Sequence, residues 1–440
     1  MVQLMGNFDL ELLSLYHFHK FYKDFVMKNK NKNKNKKRNK KWLKLRHKVV
    51  TNILRPFVHL YCRFKYGARI RKFNDPKKRP YLIIYNHQTA FDQFFVGLSF
   101  KQPVYYVASE DLFSNGFISK LINFLVAPIP IKKSTTDVRA VIDSKKVAKE
   151  GGTIAIAPEG NRTFSGETGY IKPAIAPFVK ALGLPLAIYT IDGGFGVHPR
   201  WSDVIRNGKM ECYVSKVIEP EEYNSYDNDT LYDLICSELY HNENKLDECF
   251  VHKKSAEYLE RAMYFCPDCG FSEWKSKGEI ITCQKCGKRV KYLSTKELMG
   301  IDCTFPYRFI SDWYNAQCDY VINTDLSNFD NTPIYQDFVT SYSQVIPYKK
   351  KIKLAKNATL SMFADKYTIH NETYDLSLFF DEITAVSVLG RNKLNIYVGS
   401  DIFQIKTKNK RFNALKYMNI YYHATNVLKG IEENGKLLGI

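Results

Sequence analysis

No stretch of this 440-residue chain runs to roughly 18 apolar residues without interruption, so nothing in it reads as a membrane-crossing helix. A cleavable secretory leader is missing too, since Asp9, Glu11 and several aromatics come before any basic segment. Without such a leader, the ten cysteines argue for a reducing compartment and against a disulfide framework. No Ser or Cys stands in a recognisable nucleophile motif, which removes a covalent enzyme intermediate from the expectation. Acidic residues are absent from 28–48, where twelve Lys and Arg occur. Together these absences describe a cytoplasmic chain that meets a membrane only at its surface, on the inner face of the cell membrane.

What is present is ample for packed cores: 45% of residues are hydrophobic, and the length allows two or three domains. The net charge of +20 calls for an anionic partner, either anionic membrane lipids or nucleic acid. Nucleic acid is the weaker reading, because a Lys/Asn tract without interleaved aromatics carries no base-reading geometry. Residues 1–64 form an amphipathic and basic N-terminal region, with one short helix within 1–27 and a solvated or disordered Lys/Asn tract at 28–41. A second helix is expected over 42–64, where Leu45, Val49, Ile53, Phe57 and Tyr61 recur at four-residue spacing among Lys and Arg, with Pro56 kinking or breaking it. That pattern suits a bilayer interface or an ordinary helix packed on the next domain.

From 65 to 250 apolar runs alternate with helix-compatible stretches, predicting an α/β domain with a mixed sheet flanked by helices. Strands are expected at 81–85, 104–108, 153–157, 186–191 and 210–217, helices at 135–150 and 172–183, and further polar helices over 225–264. Within 251–300, two CxxC knuckles, Cys266/Cys269 and Cys283/Cys286, are each followed by Gly, the pattern of a zinc ribbon. Four thiolates fill a tetrahedral ion completely, so this zinc would be structural. Residues 301–440 hold seven short β-rich runs and then a helical stretch at 412–428, an order similar to pleckstrin-homology-like and GRAM-like modules and equally to other small β-barrels.

The chemistry is carried by IIYNHQTAFD at 83–92 and APEGNRTF at 157–164. His87 and Asp92 supply a general base and a carboxylate to orient it, at the end of a buried-strand run. His-x4-Asp is a common spacing, and it recurs at His19/Asp24 and His198/Asp203. Context separates the three: His19 lies in the amphipathic N-terminal segment and His198 in a Gly/Pro-rich turn. Only His87 stands at a strand-to-turn-to-helix junction, where ligands commonly bind.

Four blocks across about 66–225 resemble the PlsC-type glycerolipid acyltransferases, which include the 1-acyl-glycerol-3-phosphate acyltransferases. They are Asn86-His87-x4-Asp92, Pro130-Ile131-Lys132-Lys133, Glu159-Gly160-Asn161-Arg162-Thr163 and the strand LPLAIYTI after Gly183. Asn161 and Thr163 stand where the family has Thr and Ser, Lys132 and Lys133 where it has an arginine, and Pro173-Ala174 follows Lys172 where Lys-Gly is usual. These departures bear on substrate choice more than on reaction type. The resemblance implies acyl-CoA or acyl-carrier protein as donor, a lysophosphatidic acid-like acceptor and no catalytic cofactor. His87 and Asp92 would be catalytic. Arg162 would bind the acceptor's phosphate, with Lys133 second, Gly160 allowing close approach, Asn161 and Thr163 hydrogen bonding, and Glu159 positioning the acceptor or Arg162. Another lysolipid or glycerol 3-phosphate as acceptor, or a non-catalytic lipid-surface scaffold, are the alternatives.

Overall fold

The computed structural model describes residues 41–113, 117–131, 137–346 and 351–430. The helix expected within 1–27, the Lys/Asn tract up to residue 40, the His19/Asp24 pair, Lys132 and Lys133 lie outside the described residues.

Seven strands build the first sheet: β1 (Ala68–Ile70), β2 (Leu82–Tyr85), β3 (Val104–Ser109), β4 (Ile129–Ile131), β5 (Thr153–Ile156), β6 (Leu186–Asp192) and β7 (Met210–Ile218). Their order is β1-β7-β6-β2-β5-β3-β4, with β6, β2, β5, β3 and β4 parallel and β7 antiparallel to β6. β2 is central and buried on both faces, which is why its sequence is an unbroken apolar run and not an alternating one. The five expected strands are all present. β1 and β4, three residues each, were too short to show a period.

Helices cover the sheet: α1 (Leu45–Lys65), α2 (Asp92–Ser99), α3 (Phe117–Leu125), α4 (Val138–Lys149), α5 (Ile175–Leu182) and α6 (Asn228–Leu239). Asp137 caps α4 by accepting from the amides of Arg139 and Ala140, and Gly183 ends α5 in the left-handed region at φ +62°. Within 225–264, where polar helices were expected, α6 and one short 3₁₀ turn at Leu259–Arg261 form. The chain beyond α6 bridges Glu167 and Asn207 instead and seats the Phe250 ring over Gly196 and Gly208, where any side chain would collide with it.

α1 runs unbroken through Pro56 and packs on the domain through Val58 and the buried Cys62 as well as through polar residues. His47 meets the Tyr105 hydroxyl at 3.1 Å, and Arg55 donates to the Phe100 carbonyl at 2.7 Å. The apolar stripe faces out, leaving Leu45, Ile53, Phe57, Leu60 and Phe64 exposed, Phe64 at 82%. The helix thus packs on the domain by one face and leaves this apolar stripe outward.

The ribbon comprises β8 (Phe265–Cys266), β9 (Gly270–Phe271), β10 (Trp274–Lys277), β11 (Ile280–Cys283), β12 (Arg289–Tyr292) and β13 (Leu298–Ile301). After α7 (Ile310–Ile322) comes a second seven-stranded sheet: β14 (Tyr335–Gln344), β15 (Ile352–Met362), β16 (Lys366–Asn371), β17 (Tyr374–Phe379), β18 (Ala385–Leu389), β19 (Lys393–Val398) and β20 (Asp401–Lys406), closed by α8 (Ala414–Leu428). It is antiparallel in the order β17-β16-β15-β14-β20-β19-β18. Two of the expected runs merge into the long β15, and β14, whose pattern is mostly polar, makes up the number.

From Leu43 onward the chain is one compact unit. A single apolar core joins Phe164, Phe195 and Trp201 to Trp274 and Tyr292 of the ribbon and to Trp313, Leu360 and Tyr417 further on. Arg200, 3% exposed, fastens the seam. It donates to the carbonyls of Val388 and Gly390, at 2.5 and 2.9 Å, and to that of Arg162 at 2.9 Å.

Candidate active site

Because β2, β5 and β6 are parallel, their C-terminal ends open on one edge, and the loops that leave them meet there. Asn86 extends β2 past its last residue: its side-chain amide donates to the Ile191 carbonyl and accepts from the Ile191 amide, both at 2.8 Å. His87 follows, with its backbone held from two sides. Its carbonyl accepts from the Thr163 amide at 2.9 Å, and its amide donates to Glu159 Oε1 at 2.7 Å. The first and third blocks are thus bonded to each other through the main chain of the base.

Asp92 opens α2, and its carboxylate reaches back over the turn that precedes it. One oxygen accepts from His87 Nδ1 at 2.8 Å and from the Gln88 amide at 2.7 Å. The other accepts from the Thr89 amide at 2.8 Å and the Thr89 hydroxyl at 2.7 Å. Four donors and a helix N-terminus let a carboxylate with no exposure stay ionised. An ionised carboxylate can only accept, so a neutral His87 keeps its proton on Nδ1 and presents Nε2 as a base. No group among the described residues bonds Nε2, and the side chain is 23% exposed, so a substrate can reach it. Burial pushes the imidazole below its ordinary pKa of 6.5, with Asp92 opposing and Arg162 and Arg200 assisting.

Glu159 is buried at the end of β5, and its second oxygen accepts from the Gly169 amide at 2.7 Å. Burial raises its carboxyl to about 8, against the two amides that favour the charged form. Its bonds fix the His87 main chain and the 159–169 loop, and none goes to Arg162. Gly160 turns at φ +67°, with its amide taken by the Ala157 carbonyl at 3.1 Å. Asn161 Oδ1 lies 3.5 Å from Arg200 Nη2, and the Thr163 hydroxyl accepts from the amides of Ser165 and Gly166 within its own turn. Arg162 Nη1 is buried with no hydrogen-bond partner among the described residues, and burial lowers that guanidinium to about 10.

The His198/Asp203 pair, with the same spacing as His87/Asp92, makes no such dyad. His198 Nδ1 meets the Tyr66 hydroxyl and Nε2 meets Arg391 Nη2, both at 3.1 Å, while Asp203 pairs with Arg261 and Arg391. Tyr66, Arg200 and Arg391 have no signal in the sequence, because their positions follow only from the packing of distant segments. A group of Asp192, His241 and Glu243 at the end of β6 is a charge network: His241 Nε2 lies 3.3 Å from both carboxylates, and Lys245 and Lys296 take their other oxygens.

In the ribbon, the sulfurs of Cys266, Cys269, Cys283 and Cys286 all lie within 4.8 Å of one another. Cys266 and Cys286 Sγ are 3.7 Å apart, and a tetrahedron with bonds of about 2.3 Å has edges of about 3.8 Å. Gly270 and Gly287, at φ +70° and +77°, make the turns beneath the two knuckles. The residues present fit a zinc ion.

Residues 69–191 match the acyltransferase family model. A 1-acyl-sn-glycerol-3-phosphate acyltransferase of Borreliella burgdorferi is 25% identical over 173 residues, which cover 38% of this chain and 67% of that protein. The crystal structure of the 1-acyl-sn-glycerophosphate acyltransferase PlsC from Thermotoga maritima aligns with 52% of this chain and 93% of its own, at 20% identity and a TM-score of 0.37.

The lowered pKa of His87 sets the pH dependence of any reaction it serves. The base form dominates above that pKa, so kcat/KM rises with pH, reaches half its plateau below pH 6.5 and is flat from 7 to 8. In Asp92→Asn the amide meets Nδ1 as a donor and drives the ring proton to Nε2, costing about 10²–10⁴ in rate. A wild-type midpoint above 6.5, or an Asp92→Asn enzyme at full rate, removes this pair from the chemistry.

Proposed function

We propose that this chain, whose residues 69–191 match the acyltransferase family model, is a PlsC-type O-acyltransferase that moves a fatty acyl group from acyl-CoA or acyl-carrier protein onto the free hydroxyl of 1-acyl-glycerol-3-phosphate. The observation that carries this reading is the His87 ring, held by a buried carboxylate with Nε2 open. Nε2 takes the hydroxyl proton as the oxygen attacks the thioester carbonyl. The new ester C–O bond forms, the C–S bond breaks, and the proton passes from Nε2 to the leaving sulfur. Asp92 stabilises the imidazolium between those events. Arg162, with an unpaired buried nitrogen, takes the acceptor's phosphate. Incubating the protein with labelled acyl-CoA or acyl-carrier protein and a panel of lysolipids, with products read by mass spectrometry, tests this. Phosphatidic acid is the expected product, lost by at least about 10²-fold in His87→Ala. Exclusive acylation of an uncharged lysolipid would refute the acceptor assignment.

The four ribbon thiolates are proposed to hold one zinc ion that fastens the two knuckles and, being fully ligated by protein, takes no part in the reaction. Cys269→Ser should lower bound zinc, measured by atomic absorption, and lower the melting temperature. Unchanged zinc content would count against the site.

The outward apolar face of α1, with Leu121 and Phe124 exposed on the neighbouring α3 and cations at Arg46, Lys48, Arg63 and Lys65, is proposed to rest on an anionic bilayer surface. Arg46 lies 4.0 Å over the Phe124 ring and donates to its carbonyl, which joins the two helices into one surface. No helix among the described residues is long and apolar enough to cross a membrane. A Phe57→Ser/Phe64→Ser double variant should float with anionic vesicles at least about tenfold less than wild type, since each ring is worth up to about 1.5–3 kcal/mol when buried. Equal flotation rejects this face as the contact.

A further inference from the structure

The tip of the β18–β19 hairpin, far along the chain in the second sheet, reaches the edge where His87 stands. Arg200 joins the two places directly, since one guanidinium donates to the carbonyls of Val388 and Gly390 at the hairpin and of Arg162 in the third block. Arg391 follows Gly390, whose φ of +65° makes the turn. Its Nη2 lies 3.1 Å from His198 Nε2 and its Nη1 3.1 Å from Asp203 Oδ1, with 34% of the side chain exposed.

A guanidinium can only donate, so His198 Nε2 is an acceptor and the neutral ring carries its proton on Nδ1. That proton points along the 3.1 Å contact to the Tyr66 oxygen, which therefore accepts. The Tyr66 hydroxyl keeps its own proton to give, and no acceptor for it occurs among the described residues. Tyr66 has no exposure and packs at a tilt against Phe91, the neighbour of Asp92, with ring centroids 5.0 Å apart. Arg162 adds a second unanswered donor, its buried Nη1. Arg162 also feels the charges of Asp92 and Arg391, and His87 feels those of Arg162 and Arg200. Among the described residues Arg391 has one carboxylate in an ion pair, Asp203, which Arg261 already engages at 2.6 Å, and Arg162 has none. Cations and donors thus gather near the base in excess of the acceptors the chain supplies.

We propose that Arg391, from the C-terminal sheet, is a specificity-determining residue that binds the acceptor's phosphomonoester together with Arg162. This rests on the acyltransferase reading above and extends it, making the second sheet part of the active site. A phosphomonoester carries close to two negative charges at neutral pH and an uncharged glycerol headgroup none, so two guanidinium groups select for the former.

The test compares acceptor KM for 1-acyl-glycerol-3-phosphate and for a monoacylglycerol of the same chain length, using the full-length wild type, Arg391→Gln, Arg391→Lys and Arg162→Gln. Arg391→Gln should raise KM for the phosphorylated acceptor about 10- to 100-fold, the range of a charged hydrogen bond. It should leave kcat, the donor KM and the kinetics with monoacylglycerol within about twofold. Arg391→Lys should recover part of the loss, because the charge is kept and the fork is not. If Arg162→Gln raises that KM and Arg391→Gln does not, the composite site is wrong while the acceptor reading stands. If neither does, the phosphate-acceptor reading itself falls. An equal loss with both acceptors in Arg391→Gln and Arg391→Lys shows that Arg391 only braces the seam, which overturns the proposal.

Discussion

A buried carboxylate that must stay charged organises this site. Asp92 has no contact with water, so its ionisation depends on donors supplied by the protein, and it collects four within six residues of chain. Three come from the turn itself, from the amides of Gln88 and Thr89 and the Thr89 hydroxyl. Only the fourth is the His87 ring. The turn between β2 and α2 therefore closes around the carboxylate whether or not a substrate is bound, and His87 is oriented as a consequence. This explains why His87 needs little else: its ring bonds Asp92, while its main chain is fixed by Glu159 and Thr163 from the next loop. A weaker arrangement would leave the imidazole free to rotate and would expose its proton on either nitrogen.

The parts of this arrangement that belong to local chemistry were legible in the sequence. β2 could be seen because a strand buried on both faces must be apolar throughout, and β5 and β6 for the same reason. The dyad could be told from the same spacing at His198 by the strand before it, and the structure separates the two for that reason: at His198 the ring nitrogens go to Tyr66 and Arg391. The cluster of Cys266, Cys269, Cys283 and Cys286 was visible because two CxxC pairs can be read from spacing alone. Thr163 and Asn161 show the limit of motif reading. Residue type marked them as polar, but their hydrogen bonds are spent on the turn and on Arg200.

What stayed hidden depends on long-range packing. The sheet order follows from crossovers and not from any one strand, and β14 shows too little apolar alternation to be read as a strand. The outward face of α1 is a clear case. Its stripe has the period of a helix that packs, yet the contacts that hold it are made by His47, Arg55, Val58 and Cys62, and most of the stripe is left outward. Periodicity shows that a helix has two faces and does not say which one the domain covers. Arg200 and Arg391 are hidden in the same way, since an arginine that joins residues nearly two hundred positions apart looks like any other in the sequence.

The central claim is that Asp92 holds the neutral His87 ring with its proton on Nδ1, leaving Nε2 to act. Nitrogen NMR of protein labelled at histidine reports this directly, with the His87 signals identified among ten histidines by their loss in His87→Gln. The account predicts a protonated Nδ1 and a bare Nε2 at neutral pH. A neutral ring with its proton on Nε2 would contradict it.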